Sequence, residues 1–196
     1  MSGISNSTGA ASGIVGTTVG TPAGGTQTLL NTYTADNTSG ILAVRDFSTT
    51  YTTYKVVIDG LKPATNSIHF YFFLTLLSDA TVRSSGYRGS SNYSYSSSSS
   101  AGNSQVAFGD TLFGTLSDIS SHTHDTFSGV FYVFQPATAG NSTMGVGTMT
   151  YQDDAGAEIT SVNAGRYLTA EAHGGFNISA EAGNWTSGQV KVFGQN

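Results

Sequence analysis

Thr126-Phe127-Ser128-Gly129-Val130-Phe131-Tyr132-Val133-Phe134-Gln135-Pro136 is the stretch whose reading decides the fold. Aromatic and β-branched residues fill it, and such side chains sit well on a pleated surface. Alternation puts Phe127, Gly129, Phe131, Val133 and Gln135 on one side, and Ser128, Val130, Tyr132 and Phe134 on the other. Neither side carries a charge, so the strand is expected to be central and covered by protein on both faces. Pro136 ends the ladder because it has no N–H to donate.

A second heavy run, Ser67 to Leu77, repeats this texture. Ile68, Phe70, Phe72, Leu74 and Leu76 are expected to fill a core face, while His69, Tyr71, Phe73, Thr75 and Leu77 turn to a second layer. Lighter alternation marks further strands at Thr28 to Thr34, Ile41 to Val44, Tyr51 to Asp59, Thr143 to Tyr151, Gly165 to Ala172, Gly174 to Ala180 and Ser187 to Phe193. In Tyr51 to Asp59, Tyr54, Val56 and Ile58 share one face, with Lys55, Val57 and Asp59 on the other. Leu61 to Asn66 reads as a loop, and Gln105 to Phe108 and Thr111 to Leu116 as short strands or turns. No stretch has the period of an amphipathic helix. About ten short strands divided by turn residues imply an all-β chain, a single jelly-roll-like β-sandwich over residues 28–196. Residues 1–27 are dominated by Gly, Ser, Thr and Ala and cannot bury enough apolar surface to fold alone. They are expected to form an extended N-terminal arm that attaches the domain to a partner.

The chain has 196 residues and no cysteine, which removes disulfides, thiolate metal sites and Cys nucleophiles. Charged residues make up only 10% of it, and the net charge is −5. A surface so poor in charge suits an exported or particle-bound protein, and the missing basic stripe argues against nucleic acid. No apolar run approaches the length of a membrane span. The N-terminus lacks the basic start and apolar segment of a signal peptide, so secretion by the general route is not expected.

Candidate sites are few. His122 and His124 alternate on what reads as an extended chain, so both rings would fall on one face beside Asp125, the spacing of a two-histidine metal site. Completing it needs further ligands, with His69, His173 or a carboxylate as options, or copies of the pair meeting at a symmetry axis. The plainer reading is a polar loop leading into the aromatic strand, and no metal site and no cofactor are assigned. Ser78 to Asn103 reads as a long loop or ragged edge hairpin. Within it Arg83, Tyr87, Arg88, Tyr93 and Tyr95 form a candidate recognition patch, since Tyr and Arg among Ser and Gly is the composition of adaptable binding loops. No nucleophile elbow, phosphate loop or paired-carboxylate signature appears, and an enzyme is not expected.

Gly183-Asn184-Trp185-Thr186-Ser187-Gly188, feeding Gln189 to Gly194, resembles the ending of a broad class of bacteriophage virion structural proteins. Tyr51 to Ile58, Lys62 to Asn66, Ile68 to Ser78 and Ser128 to Pro136 are similar to earlier pieces of that class, in the same order. The resemblance implies a jelly-roll-like, commonly trimeric module serving as tail fibre, head fibre or capsid decoration, with no catalytic residues. The resulting expectation is a non-enzymatic homotrimer on the exterior of a virion. It would be a capsid decoration or head-fibre protein bound to other virion proteins through its arm. The alternative is a tail-fibre or receptor-binding module that takes a host surface glycan.

Overall fold

The computed structural model describes residues 27–96, 101–104, 111–113 and 116–196. The arm, the serine run at 97–100, the segment 105–110 and residues 114–115 lie outside the described residues, and with them most of the two short strands expected between 105 and 116. Twelve strands and no helix occur among the described residues. In chain order they are β1 (Thr28–Thr34), β2 (Ile41–Val44), β3 (Thr53–Pro63), β4 (Ile68–Leu76), β5 (Tyr87–Tyr95) and β6 (Ala101–Ser104). There follow β7 (Leu116–Ile119), β8 (Phe127–Phe134), β9 (Met144–Gln152), β10 (Glu158–Tyr167), β11 (His173–Ala180) and β12 (Trp185–Gln195).

These strands form two antiparallel sheets, one of eight strands in the order β1-β12-β3-β8-β9-β10-β5-β6 and one of four in the order β2-β11-β4-β7. They pack as the β-sandwich that the strand pattern calls for. The aromatic stretch is β8, fourth of eight in the large sheet, and it ends at Phe134 just ahead of Pro136.

The core lies between the sheets, where aromatic rings from the two heavy strands meet. Phe70 of β4 packs 4.8 Å from Phe127 of β8 and 6.3 Å from Trp185 of β12. Phe72 stacks on Phe176 at 4.2 Å and meets Phe113 edge-on at 4.8 Å. Each fully buried ring of this kind contributes about 2–3 kcal/mol by removal from water. Space for them comes from β9, whose inward positions include Gly145 and Gly147. A Cβ at either would stand 2.5 Å from the ring of Phe113 or Phe131, so these rings lie flat against bare backbone.

Several sequence readings are corrected. β3 does not stop at Asp59 but runs to Pro63 through a bulge, where the register shifts between Ile58 and Leu61 and Gly60 has a φ of 63°. Residues 61–63 are thus strand, because a glycine at a bulge lets the chain kink and resume pairing. The strand expected at Gly165 to Ala172 lies earlier, at Glu158–Tyr167. Of the two readings of Ser78 to Asn103 the edge hairpin holds, with β6 paired to β5 at the edge of the large sheet, and the long loop does not, since nine residues of β10 pair with a regular β5. Its alternation is built from Ser, Asn and Tyr, so hydrophobicity does not announce it. The expected double cover of the two heavy strands is also absent among the described residues. On β8, Phe127, Phe131 and Val133 are buried, whereas Ser128, Val130, Tyr132 and Phe134 remain half-exposed. On β4, His69, Tyr71 and Phe73 are likewise half-exposed on the outside of the small sheet.

Candidate functional site

His122 and His124 do not share the face of an extended chain. The backbone turns there, with the Asp125 N–H donating to the His122 carbonyl at 3.0 Å, and both histidines are exposed. The turn is fixed from two sides. Ser120 Oγ donates to Asp125 Oδ2 at 2.5 Å, and Lys62 Nζ donates to the carbonyls of His122 and Thr123 at 2.7 and 3.0 Å. Among the described residues no group of three or more His, Asp or Glu side chains is arranged to hold a metal ion. The pair is the loop leading into β8.

The five residues of the expected recognition patch are not brought together. Tyr87 faces the core with 2% exposure. Its hydroxyl donates to the Arg83 carbonyl at 2.6 Å and accepts from the Leu74 N–H at 2.9 Å, and burial raises its pKa. Tyr93 and Tyr95 also point inward, half-buried against the core, with their rings edge-to-face at 5.3 Å. Arg83 leaves the loop to grip Glu171, with Nε to Oε1 at 2.7 Å and Nη2 to Oε2 at 2.9 Å. Arg88 alone stands on the outside.

That Arg83–Glu171 fork belongs to a cluster that resembles a relay. Thr143 Oγ1 lies 2.8 Å from His173 Nδ1, and His173 Nε2 lies 3.6 Å from Glu171 Oε1 without a hydrogen-bond partner. Hydroxyl, imidazole and carboxylate follow in the order of a hydrolytic triad. However, Thr143 and His173 are both 0% exposed, so the hydroxyl meets no substrate. Burial pushes the His173 imidazole below its ordinary value, and the Arg83 hydrogen bonds hold the Glu171 carboxyl below the usual carboxylate range. The cluster pins the chain entering β11 to the start of β9 and to the loop before β5, a structural task.

Among the described residues, what stands open is the outer side of the large sheet. Cross-strand registers place Val57, Val130, Thr148 and Val162 in one row, flanked by Lys191 on β12 and Asn92 on β5. The next row holds Phe193, Lys55, Tyr132, Val146 and Ala164. Beyond it Phe134 and Met144 lead to Arg166 and Arg88. Met144, Val146 and Val162 are 51%, 37% and 49% exposed. A contiguous apolar area across the middle of a sheet marks an interaction surface more often than a solvated one. The Lys191 ammonium is 3.0 Å from its own Asp59, and Lys55 lies over the Phe193 ring at 5.8 Å.

Arg88 and Arg166 are directly opposed on β5 and β10, a like-charge pairing that costs stability. Neither makes an ion pair among the described residues, and they border a shallow depression of about 530 Å³ floored by Phe134, Met144 and the backbone of Gly145 and Gly165. Arg166 was missed in the sequence because it sits at the end of a strand assigned to other residues, 78 positions from its partner.

No protein-family description, no curated protein and no solved structure matches this chain.

Proposed function

We propose that the chain is a non-enzymatic structural protein on the exterior of a bacteriophage particle, a capsid decoration or head-fibre protein that works as a homo-oligomer and is attached through its N-terminal arm. One observation carries this reading. The central strand is apolar on both faces, yet the sandwich covers only its inner face, leaving Val130, Tyr132 and Phe134 half-exposed. Such a body is complete as a fold and incomplete as a surface, which is the condition of a subunit. The resemblance of Gly183 to Gly194 to virion proteins supplies the kind of assembly. For copy number, that resemblance points to three, whereas the charge layout of the face favours pairs.

The unpaired arginines over an aromatic floor favour a second reading, a receptor-binding module taking an acidic host glycan, because guanidinium groups match carboxylates. Deletion of the gene from the phage separates the two. Particles lacking a decoration protein are expected to lose heat stability while adsorbing to cells normally. Loss of adsorption with an intact shell would replace the first reading by the second. Absence of the chain from purified wild-type particles would end both.

A further inference from the structure

The charges on the outer side of the large sheet are arranged with a hidden symmetry. Outward residues of β10 run Glu158, Thr160, Val162, Ala164, Arg166, negative at one end, positive at the other, with Val162 midway. On β3 the outward residues Lys55, Val57 and Asp59 run the opposite way, with Val57 midway. Both midpoints belong to the same cross-strand row, joined through Val130 and Thr148. Reversing the strand direction about that row therefore exchanges Arg166 with Glu158 and Lys55 with Asp59.

A two-fold axis lying along the row performs that reversal on a second copy. We infer that the chain pairs with a second copy of itself, face to face, through the outer side of the eight-stranded sheet. The axis runs across the strands along Val57, Val130, Thr148 and Val162. Each strand then lies over its own counterpart, Val162 meets Val162, and Tyr132 and Val146 pack over the partner's far side of the row. Arg166 comes over Glu158 of the partner subunit, beside its opposed neighbour Arg88, and so gains a counter-charge that the described residues of one chain do not supply. Lys191, near the axis, meets its symmetry mate with its charge already offset by Asp59.

Size agrees with this occupant. Six strands spaced about 4.8 Å apart and about nine residues long at 3.3 Å each give roughly 850 Å² per copy, the standard size of a specific interface. Stacked sheets rotate by about 30°, so the apolar centre holds register while the end charges meet through long side chains. An isologous contact must be complementary to itself, and the Arg166–Glu158 and Lys55–Asp59 positions of this face are. The inference shares with the proposed role only the uncovered face, so each can fail alone. Absence from particles would leave the pairing intact, and a monomer found on particles would do the reverse.

The test uses the full chain in solution. Sedimentation is expected to show a species of about 41 kDa, twice the 20.3 kDa of one chain. Arg166→Glu and Glu158→Arg should each raise the dimer Kd at least about tenfold by placing like charges together, while the double variant Arg166→Glu/Glu158→Arg recovers most of the loss. Urea midpoints read at a concentration where all are monomeric should coincide, since these side chains are exposed. The chain has no cysteine, so Val162→Cys should cross-link to itself under mild oxidation, while Thr169→Cys, exposed beyond β10, should not. A wild-type monomer up to about 100 µM would overturn the inference, and would assign the face to the arm or to another virion protein. A trimer, a double variant no better than the singles, or equal cross-linking at both cysteines would overturn it as well.

Discussion

Acidification should unfold this protein through His173 before it does so through any carboxylate. The imidazole is fully buried, its Nδ1 is 2.8 Å from Thr143 Oγ1, and its Nε2 has no hydrogen-bond partner. Burial holds its pKa below the ordinary value. A depressed folded-state pKa means that the unfolded chain binds the proton more readily, so His173 contributes its full stabilisation above the unfolded value and loses it as pH falls. The loss sets in as pH falls through the ordinary imidazole value of 6.5, and for a single proton it reaches at most about 1.4 kcal/mol per pH unit. For a domain of this size each kcal/mol lost lowers Tm by roughly 2–4 °C. Glu171 is also depressed, by its Arg83 hydrogen bonds, but its loss begins only below about pH 4.5, which separates the two windows. The assay is thermal unfolding from pH 8 to 4.5, at constant protein concentration, for the wild type and His173→Gln. Glutamine keeps a polar partner for Thr143 and has no proton to gain. The variant is expected to be less stable at pH 7.5 and to show a flatter pH profile between 7 and 5. A wild-type profile already flat there, or a variant profile with the same slope, would refute the assignment.

Three further outcomes follow from the packing. Gly165→Ala would drive a Cβ into the Leu112 carbonyl oxygen, which is backbone and cannot swing aside; a loss of about 2–3 kcal/mol in urea unfolding is expected, and an unchanged midpoint would contradict the placement of the 111–113 segment. Phe131→Ala removes a fully buried ring 4.6 Å from Phe113 and lying against Gly147, so calorimetry should show a loss of about 3–5 kcal/mol. His122→Ala/His124→Ala should stay within about 0.5 kcal/mol of wild type, with metal content at background in both proteins; stoichiometric zinc lost in the double variant would restore the histidine pair as a site.

Sequence legibility followed the hydrophobic signal. β4 and β8 are readable to within a residue or two because each is a nearly continuous run of aromatic and aliphatic side chains, and the sandwich follows from having two such strands with glycine-rich strands between. β5 reads as either loop or edge hairpin, and β10 is placed too late, because apart from Ile159 their inward positions are mainly Ser91, Ser161, Asn163 and tyrosines, so polarity does not alternate along them even though burial does. β3 was cut short at Gly60, where glycine marks a bulge as readily as a stop. The candidate sites failed for a related reason. A patch drawn from Arg83 to Tyr95 takes these residues as one surface, whereas a strand sends alternate side chains to opposite faces; Tyr87, Tyr93 and Tyr95 go inward and Arg88 outward.

The same alternation places the charges of the outer face, which ties what could be read to what could not. Lys55, Val57 and Asp59 share a face on the sequence alone, and the structure keeps them there. Glu158, Val162 and Arg166 carry the mirror-image signs at even spacing, but recognising them requires knowing that one strand spans all three. Knowing that their midpoints align requires two more strands, β8 and β9, through which Val57 and Val162 are put in register. A charge pattern that is symmetric only after four strands pair is invisible in one dimension. Four of the chain's seven cations, Lys55, Arg88, Arg166 and Lys191, stand on this one face of a molecule whose net charge is −5. Solubility alone would scatter them. Clustering them around an apolar centre, with acids at the positions that reflect Lys55 and Arg166, fits a surface whose partner is a copy of itself.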